Sequence, residues 1–296
     1  MQIPDEVIQL IQNHQCQFVS FKYLDDDGML KQLDIAVQTI ARCNNIWDYQ
    51  GIQLNPIPYK VFIDPFRSVP TVSVYCEDAS NANSVRQMVK NINLPDSLIS
   101  QHKLAAEISF WINQDTTAAN NFDNISDPID QYANLRSDIV TILENIGIET
   151  TIHRHGPLSG QSIVGINGKT AIDLADNIVI SKFIINNCAA SYGFSTNFSS
   201  LDNTNLTLII KELTKQNYKK IKTEINHRVF NLNSLNYPRF IIKPIQQNIR
   251  ENRCTLFIPL IVEGSCSVYF FLLLLMQHDI NRLSVRQFLD YANKKK

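Results

Sequence analysis

Several signatures are missing from this 296-residue chain, and each absence removes a class of function. No G-x-G-x-x-G follows an apolar strand and no G-x-x-x-x-G-K-[ST] occurs, so the dinucleotide and phosphate-loop fingerprints are absent. A G-x-S-x-G elbow is missing too. Six cysteines stand at 16, 43, 76, 188, 254 and 266, and none forms a C-x-x-C pair, which excludes a zinc knuckle or a thioredoxin motif. A stapled secreted scaffold is shorter and richer in cysteine, so reduced thiols in a cytoplasmic protein are expected, as small core residues. The N-terminus, Met1-Gln-Ile-Pro-Asp-Glu6, lacks the basic flank and apolar core of a signal peptide. The most apolar run, Val268 to Met276, falls far short of the roughly 20 residues that span a bilayer and reads as a buried helix. With a formal net charge of -1, no global field draws the chain to nucleic acid or to an anionic membrane, and neither is expected as a partner.

What is present is an ordinary globular balance of 44% hydrophobic and 19% charged residues, enough for one large domain or a small one plus a larger one. Pro4-Asp5-Glu6 opens a short helix with Val7, Ile8, Leu10 and Ile11 inward. Two alternating runs, Cys16–Leu24 and Met29–Ile35, flank Asp25-Asp-Asp-Gly28 and read as a β-hairpin. The aspartates resemble the start of a calcium loop, but its twelfth position is Ala36, not glutamate. Tyr59–Asp64, Thr71–Cys76 and Lys103–Ile112 read as strands, and the polar stretch Glu77–Ser84 as a domain boundary. A helix is expected around Val85 to Ile92. The clearest helix starts at Asp127-Pro128, with Ile129, Tyr132, Leu135, Ile139, Ile142, Leu143 and Ile146 inward and Gly147 as its stop. Further helices are expected over Ala171–Tyr192, Leu206–Lys215 and Ser284–Ala292. The basic run Lys215–Lys222 reads as a solvated helix face, and a strand is expected near Arg250–Pro259.

Between the two long helices lies Thr150–Gly165, which holds His153, Arg154 and His155. Alternation puts Ile152 and Arg154 on one face of a strand and His153 and His155 on the other. Two imidazoles on one face are candidate ligands for zinc, copper or nickel, or two half-buried or surface rings.

Taken together, the segments resemble the glutamine synthetase family. Cys16–Gly28 resembles the opening hairpin of that family's small β-grasp domain, and Lys60-Val-Phe-Ile-Asp-Pro-Phe66 its "VIDPF" strand. Asp130–Gly147 and Ala175–Gly193 resemble two of its helices. Asn236-Tyr-Pro-Arg239 and Asn252-Arg253 with Ile258-Pro259 resemble its "SYKRLVPG" and "NRSASIRIP" segments. The order is collinear from about residue 15 to about 285. The resemblance implies an α+β protein, with a β-grasp domain at 1–80 and a glutamine synthetase/guanido kinase-like catalytic domain at 81–296, an antiparallel sheet backed by helices. It also implies ATP, two divalent cations held mainly by carboxylates, a role in nitrogen metabolism, and ring assembly in which one subunit's N-domain completes the next subunit's site.

The ligand set that the resemblance implies is largely missing. The family's E-x-E strand falls on Glu107-Ile-Ser109, which keeps one carboxylate of two. With Ser159-Gly160-Gln161 fixing the register, two more carboxylates fall on His155 and Ile163, and a histidine on His153. The segment with the ligand histidine has no counterpart between Thr196 and Leu213, and that with a ligand glutamate shrinks to Val262-Glu263-Gly264. Arg239 and Arg253 sit at family arginine positions, and Asp48 is what remains of a neighbour-facing loop. Magnesium and ATP binding are therefore expected to be lost. The expectation is a catalytically inactive homologue with a structural or regulatory role, assembling with itself or with a glutamine synthetase-like protein. The alternatives are a divergent ATP-dependent carboxylate–amine ligase and a transition-metal or anion-binding module built on Glu107, His153 and His155.

Overall fold

A computed structural model describes residues 3–25, 29–42, 48–49, 52–78, 86, 103–112, 123–198, 205–223, 240–242, 246–250 and 253–262. The chain begins with helix α1 (Asp5–His14), whose acidic first turn faces the helix dipole. Val7 is buried on it, while Ile8, expected inside, is exposed. Strands β1 (Phe18–Leu24) and β2 (Leu30–Ala36) form the expected hairpin, followed by the short helix α2 (Val37–Arg42). Then come β3 (Asp48–Tyr49), β4 (Ile52–Ile63) and β5 (Thr71–Asp78). These five strands make one sheet in the order β2-β1-β5-β4-β3. Its β1–β5 pair is parallel and the others antiparallel. Val7, Val19, Phe21, Leu54, Val72 and Val74 fill its core.

The second sheet starts with β6 (Lys103–Ile112), the strand read from the sequence. Helix α3 (Ala133–Asn145), β7 (Thr150–His155), β8 (Gln161–Gly168) and helix α4 (Ala171–Ser191) follow. The remaining strands are β9 (Thr196–Asn197), β10 (Leu206–Thr214), β11 (Phe240–Ile242), β12 (Gln246–Arg250) and β13 (Arg253–Val262). The sheet runs β11-β13-β10-β6-β8-β7, with β12 on β13 and β9 on β6, and every pair in it is antiparallel. One face packs on α3 and α4 through Ile108, Phe110, Val164 and Leu208 against Ile139, Ile178 and Ile184. Thr170 caps α4, its hydroxyl accepting from Asp173 N at 3.1 Å. The β8–α4 turn needs a glycine: a Cβ at Gly168 would lie 2.4 Å from the Leu174 Cβ.

Two expected helix limits are corrected. Asp127-Pro128 does not begin α3; turns occupy this stretch and Tyr132 is the N-cap. The Asp130 carboxylate turns inward to the Arg136 guanidinium and also accepts from Tyr132 N at 3.3 Å, which ties the turn to the core. Ile129 is left exposed. Leu206–Lys215 is not a helix but strand β10, and a helix over 215–223 (α5) follows it. Leu206, Leu208, Ile209 and Ile210 are all buried between β6 and β13, so the run is apolar on both faces, and such a short run carries no period of its own. On α5, Tyr218 and Ile221 are buried and Lys219 and Lys220 exposed, as a solvated basic face requires.

Two buried cations, Lys22 and Lys60, and the partly buried Arg86 join the two sheets through α4. Lys60 Nζ lies 2.6 Å from Asp173 Oδ1 and also bonds Asn177. Arg86 reaches Asp176 at 2.9 Å and Glu77 at 3.3 Å. Lys22 pairs with Asp64 at 3.4 Å and stands 4.3 Å over the Phe183 ring. Glu77 and Asp78, taken as the start of a boundary, belong to β5. The rest of that boundary and the expected helices around residues 88–92, 268–276 and 284–292 lie outside the described residues, with only Arg86 of the first described.

Candidate functional site

Strand register decides which candidate residues share a face, because paired residues in a ladder point the same way. Glu107 pairs with Gly165 and Thr207, and Ser109 with Ile163. Ile163 in turn pairs with Arg154. Glu107, Ser109, Ile163 and Arg154 therefore meet on the face turned away from the helices. Arg154 holds the centre: one guanidinium nitrogen lies 3.3 Å from Glu107 Oε2 and another 2.5 Å from Asp123 Oδ1. Beside this ion pair, Ser109 and Ile163 are buried, at 6% and 4% exposure. The position is packed, and its neighbours are a hydroxyl and a hydrocarbon.

His153 and His155 lie one residue out of phase with Arg154, on the helix side of the sheet. His153 pairs with Val164, and His155 with Ser162, which also pairs with Phe110. His155 is buried, and its Nδ1 lies 2.6 Å from Gly156 O, which only accepts, so Nδ1 carries the proton. His153 Nδ1 is buried with no hydrogen-bond partner. Burial, and then the Arg136 charge, hold this imidazole below its ordinary pKa, with Asp130 opposing. The trio Glu107, His153 and His155 is thus not brought together: the sheet stands between the carboxylate and the two rings. Among the described residues no three His, Cys, Asp or Glu side chains gather in one place.

The same register sets His155 apart from Ile163, the two positions where the resemblance implies carboxylates: the residue opposite Ile163 is Arg154, and His155 is opposite Ser162. A one-residue difference on a strand turns a side chain to the other face. The alternation of Ile152/Arg154 against His153/His155 carried this signal. Asp123 and the buried pair Asp130–Arg136 were not legible, because nothing in the spacing relates them to a strand they meet only in the fold.

The remaining candidates disperse. Arg253 is exposed and lies 3.8 Å from Glu212 Oε2, whose other oxygen binds Lys103 Nζ at 2.8 Å. The Lys103 hydrogen bond, chiefly, holds the Glu212 carboxyl below its usual range. Arg253 pairs with Thr214, whereas Pro259 pairs with Thr207 next to Glu107, so Arg253 stands about 20 Å along β13 from that point. Asp48 lies in β3, opposite Gln53, with its side chain outside the described residues, as are Arg239 and Glu263. Magnesium needs several hard oxygen ligands in near-octahedral array. The face offers two carboxylates, Glu107 and Asp123, both bound to the one Arg154 guanidinium, beside Ser109 and Ile163, so the described residues do not supply the several free oxygen ligands such an ion needs.

Comparison with known proteins places this geometry. Residues 81–204 match the family model described as glutamine synthetase, catalytic domain. The glutamine synthetase of Methylococcus capsulatus is 20% identical, over 66% of this chain and 54% of that protein. The 3-hydroxylaminophenol mutase of Cupriavidus pinatubonensis is 22% identical, over 65% of this chain and 54% of that protein. The chain thus spans about half the length of the curated relatives it matches. Among solved structures, the glutamine synthetase of Plasmodium falciparum superposes with a TM-score of 0.65, over 93% of this chain and 75% of that one, at 11% identity. At that identity the likeness establishes the fold, a glutamine synthetase-like arrangement of sheets and helices.

Proposed function

We infer that this homologue of the glutamine synthetases has given up the family's metal-dependent ligation and serves as a structural or regulatory protein, through assembly with itself or with a glutamine synthetase-like partner. The observation that carries this reading is Arg154. Its guanidinium lies against Glu107, the one surviving carboxylate of the E-x-E strand, and next to Ser109 and Ile163, where the resemblance implies further carboxylates. A divalent ion at Glu107 would have to displace the Arg154 guanidinium, which Asp123 also holds, and would meet an isoleucine beside it. Coulomb repulsion and lost ligands act in the same direction. The rest of the reading extends from this point: the first sheet is the β-grasp unit of residues 1–80, and residues 81–296 are the catalytic-type unit without its reaction. The four described cysteines, all buried and free, suit a reducing compartment such as the cytoplasm.

The test is ATP- and glutamate-dependent formation of glutamine, or of the hydroxamate with hydroxylamine, by the purified protein with magnesium or manganese. No turnover is expected, and no calorimetric heat with ATP and either metal. Turnover by the protein alone would overturn the reading in favour of a divergent ligase. The relative named as a 3-hydroxylaminophenol mutase makes that substrate worth including in the same assay.

A further inference from the structure

We propose that the cleft between the Pro65–Phe66 turn and helices α3 and α4 is a binding site for a small organic ammonium ion with an apolar tail. The cleft has a volume of about 590 Å³ and lies on the helix side of the large sheet, across it from Glu107. That volume suits a small ligand, since such sites range over roughly 300–1,000 Å³. Phe66, Ile142 and Cys188 supply its apolar wall, and Asp138, Thr141, Asn187 and Ser191 its polar one.

The polar wall presents acceptors. Thr141 Oγ1 donates to Ser137 O at 2.9 Å and Ser191 Oγ to Cys188 O at 2.6 Å, so both hydroxyl hydrogens are engaged within their own helices. The Asn187 amide nitrogen gives one of its two hydrogens to Phe183 O at 2.8 Å, and its Oδ1 is left to accept. Asp138 contributes a carboxylate, and among the described residues no Lys, Arg or His lines the cleft. Tyr192 donates its hydroxyl to Asp138, and among the described residues no cation neutralises that carboxylate. Its charge is felt nearby: after burial, it helps push the Cys188 thiol up to about 11. A wall of lone pairs around one negative charge is complementary to a group with donors only, and an alkylammonium has three donors and no acceptor. An anion would meet repulsion, and an alcohol would bring one donor without charge. The ligand's hydrocarbon end then covers Phe66 and Ile142.

The test uses the full chain and calorimetric titration with 2-phenylethylammonium and n-butylammonium chlorides, with 2-phenylethanol as the neutral control. Saturable one-to-one binding of at least one ammonium, tighter than about 1 mM, is expected, with no saturable binding of the alcohol. Asp138→Asn is expected to weaken binding by about threefold to fivefold, the worth of an exposed charge pair. Ile142→Ala serves as a second variant, expected to weaken the phenylethyl probe more than the butyl one. Because Asp138 is exposed, Asp138→Asn is expected to melt like the unsubstituted protein, which separates loss of the site from loss of the fold. Failure of both ammonium probes to bind the folded protein would overturn the proposal, and so would equal affinity for the alcohol or unchanged affinity in Asp138→Asn.

Discussion

Arg136 is 1% exposed and held by Asp130 and by Ser162 Oγ at 3.2 Å, directly beneath the strand that carries His153. A cation so enclosed depends on its counter-ion. Asp130→Ala is expected to cost about 3–5 kcal/mol, measured by urea unfolding, because the guanidinium would stay buried unpaired. Replacing both residues by apolar ones of similar volume should recover much of that loss. Arg136 also shapes the acid response through His153. The folded-state pKa of His153 is lowered, so the folded chain favours the neutral ring. The unfolded ring takes up its proton near the ordinary value of about 6.5. The contribution of His153 is therefore complete above about pH 6.5 and lost as pH falls through the folded pKa. His153→Phe is expected to flatten the decline of unfolding free energy between about pH 7 and pH 5, and an unchanged slope would contradict this. At this scale the sequence was half legible. Glu107 was legible as the one carboxylate kept on its strand, but not its pairing with Arg154. The strand register that selects Arg154 over His155 depends on β8, and it appears only once β7 and β8 are paired.

Among elements, the strands and helices with a clear period were the ones that sequence reasoning placed best. β6 coincides with its expected limits, and α3 and α4 end before Gly147 and Gly193, both at positive φ. β10 was misread because burial on both faces erases the alternation that marks a half-buried strand. The difference is testable. Ile209 and Ile210 point to opposite faces and are both buried, at 7% and 1% exposure. Ile209→Asp and Ile210→Asp are each expected to destabilise strongly, whereas an amphipathic surface helix would tolerate one of any adjacent pair. The β8–α4 turn offers a steric counterpart. Gly168→Ala would bring its Cβ to 2.4 Å from Leu174 Cβ and 2.7 Å from Leu174 Cα, so α4 must shift. A loss of about 1–3 kcal/mol is expected, the usual range for overpacking.

At the scale of the whole molecule, the described contacts fasten the smaller sheet to helix α4, which also backs the larger sheet. Local sequence patterns outlined the two sheets, but not what joins them. Lys60 and Asp173 are 113 residues apart in sequence, and each was read only as part of its own strand or helix. The joint rests on enclosed charge, with Lys60 at 8% exposure between Asp173 and Asn177. Lys60→Met keeps the length and apolar stem of the side chain and removes the ammonium, which leaves Asp173 beside a thioether. Loss of one member of this partly buried pair is expected to cost about 1–3 kcal/mol, and part of it should appear as weakened attachment of the smaller sheet. Scanning calorimetry is expected to show one cooperative transition for the unsubstituted chain. For Lys60→Met it should show an earlier, separate transition from the β1–β5 sheet, with amide exchange accelerating there first. A uniform drop in melting temperature with one transition retained would mean that the two sheets unfold as one unit whatever joins them. The joint would then be set by the apolar contacts of Phe62, Tyr75 and Phe66 with the larger core rather than by Lys60.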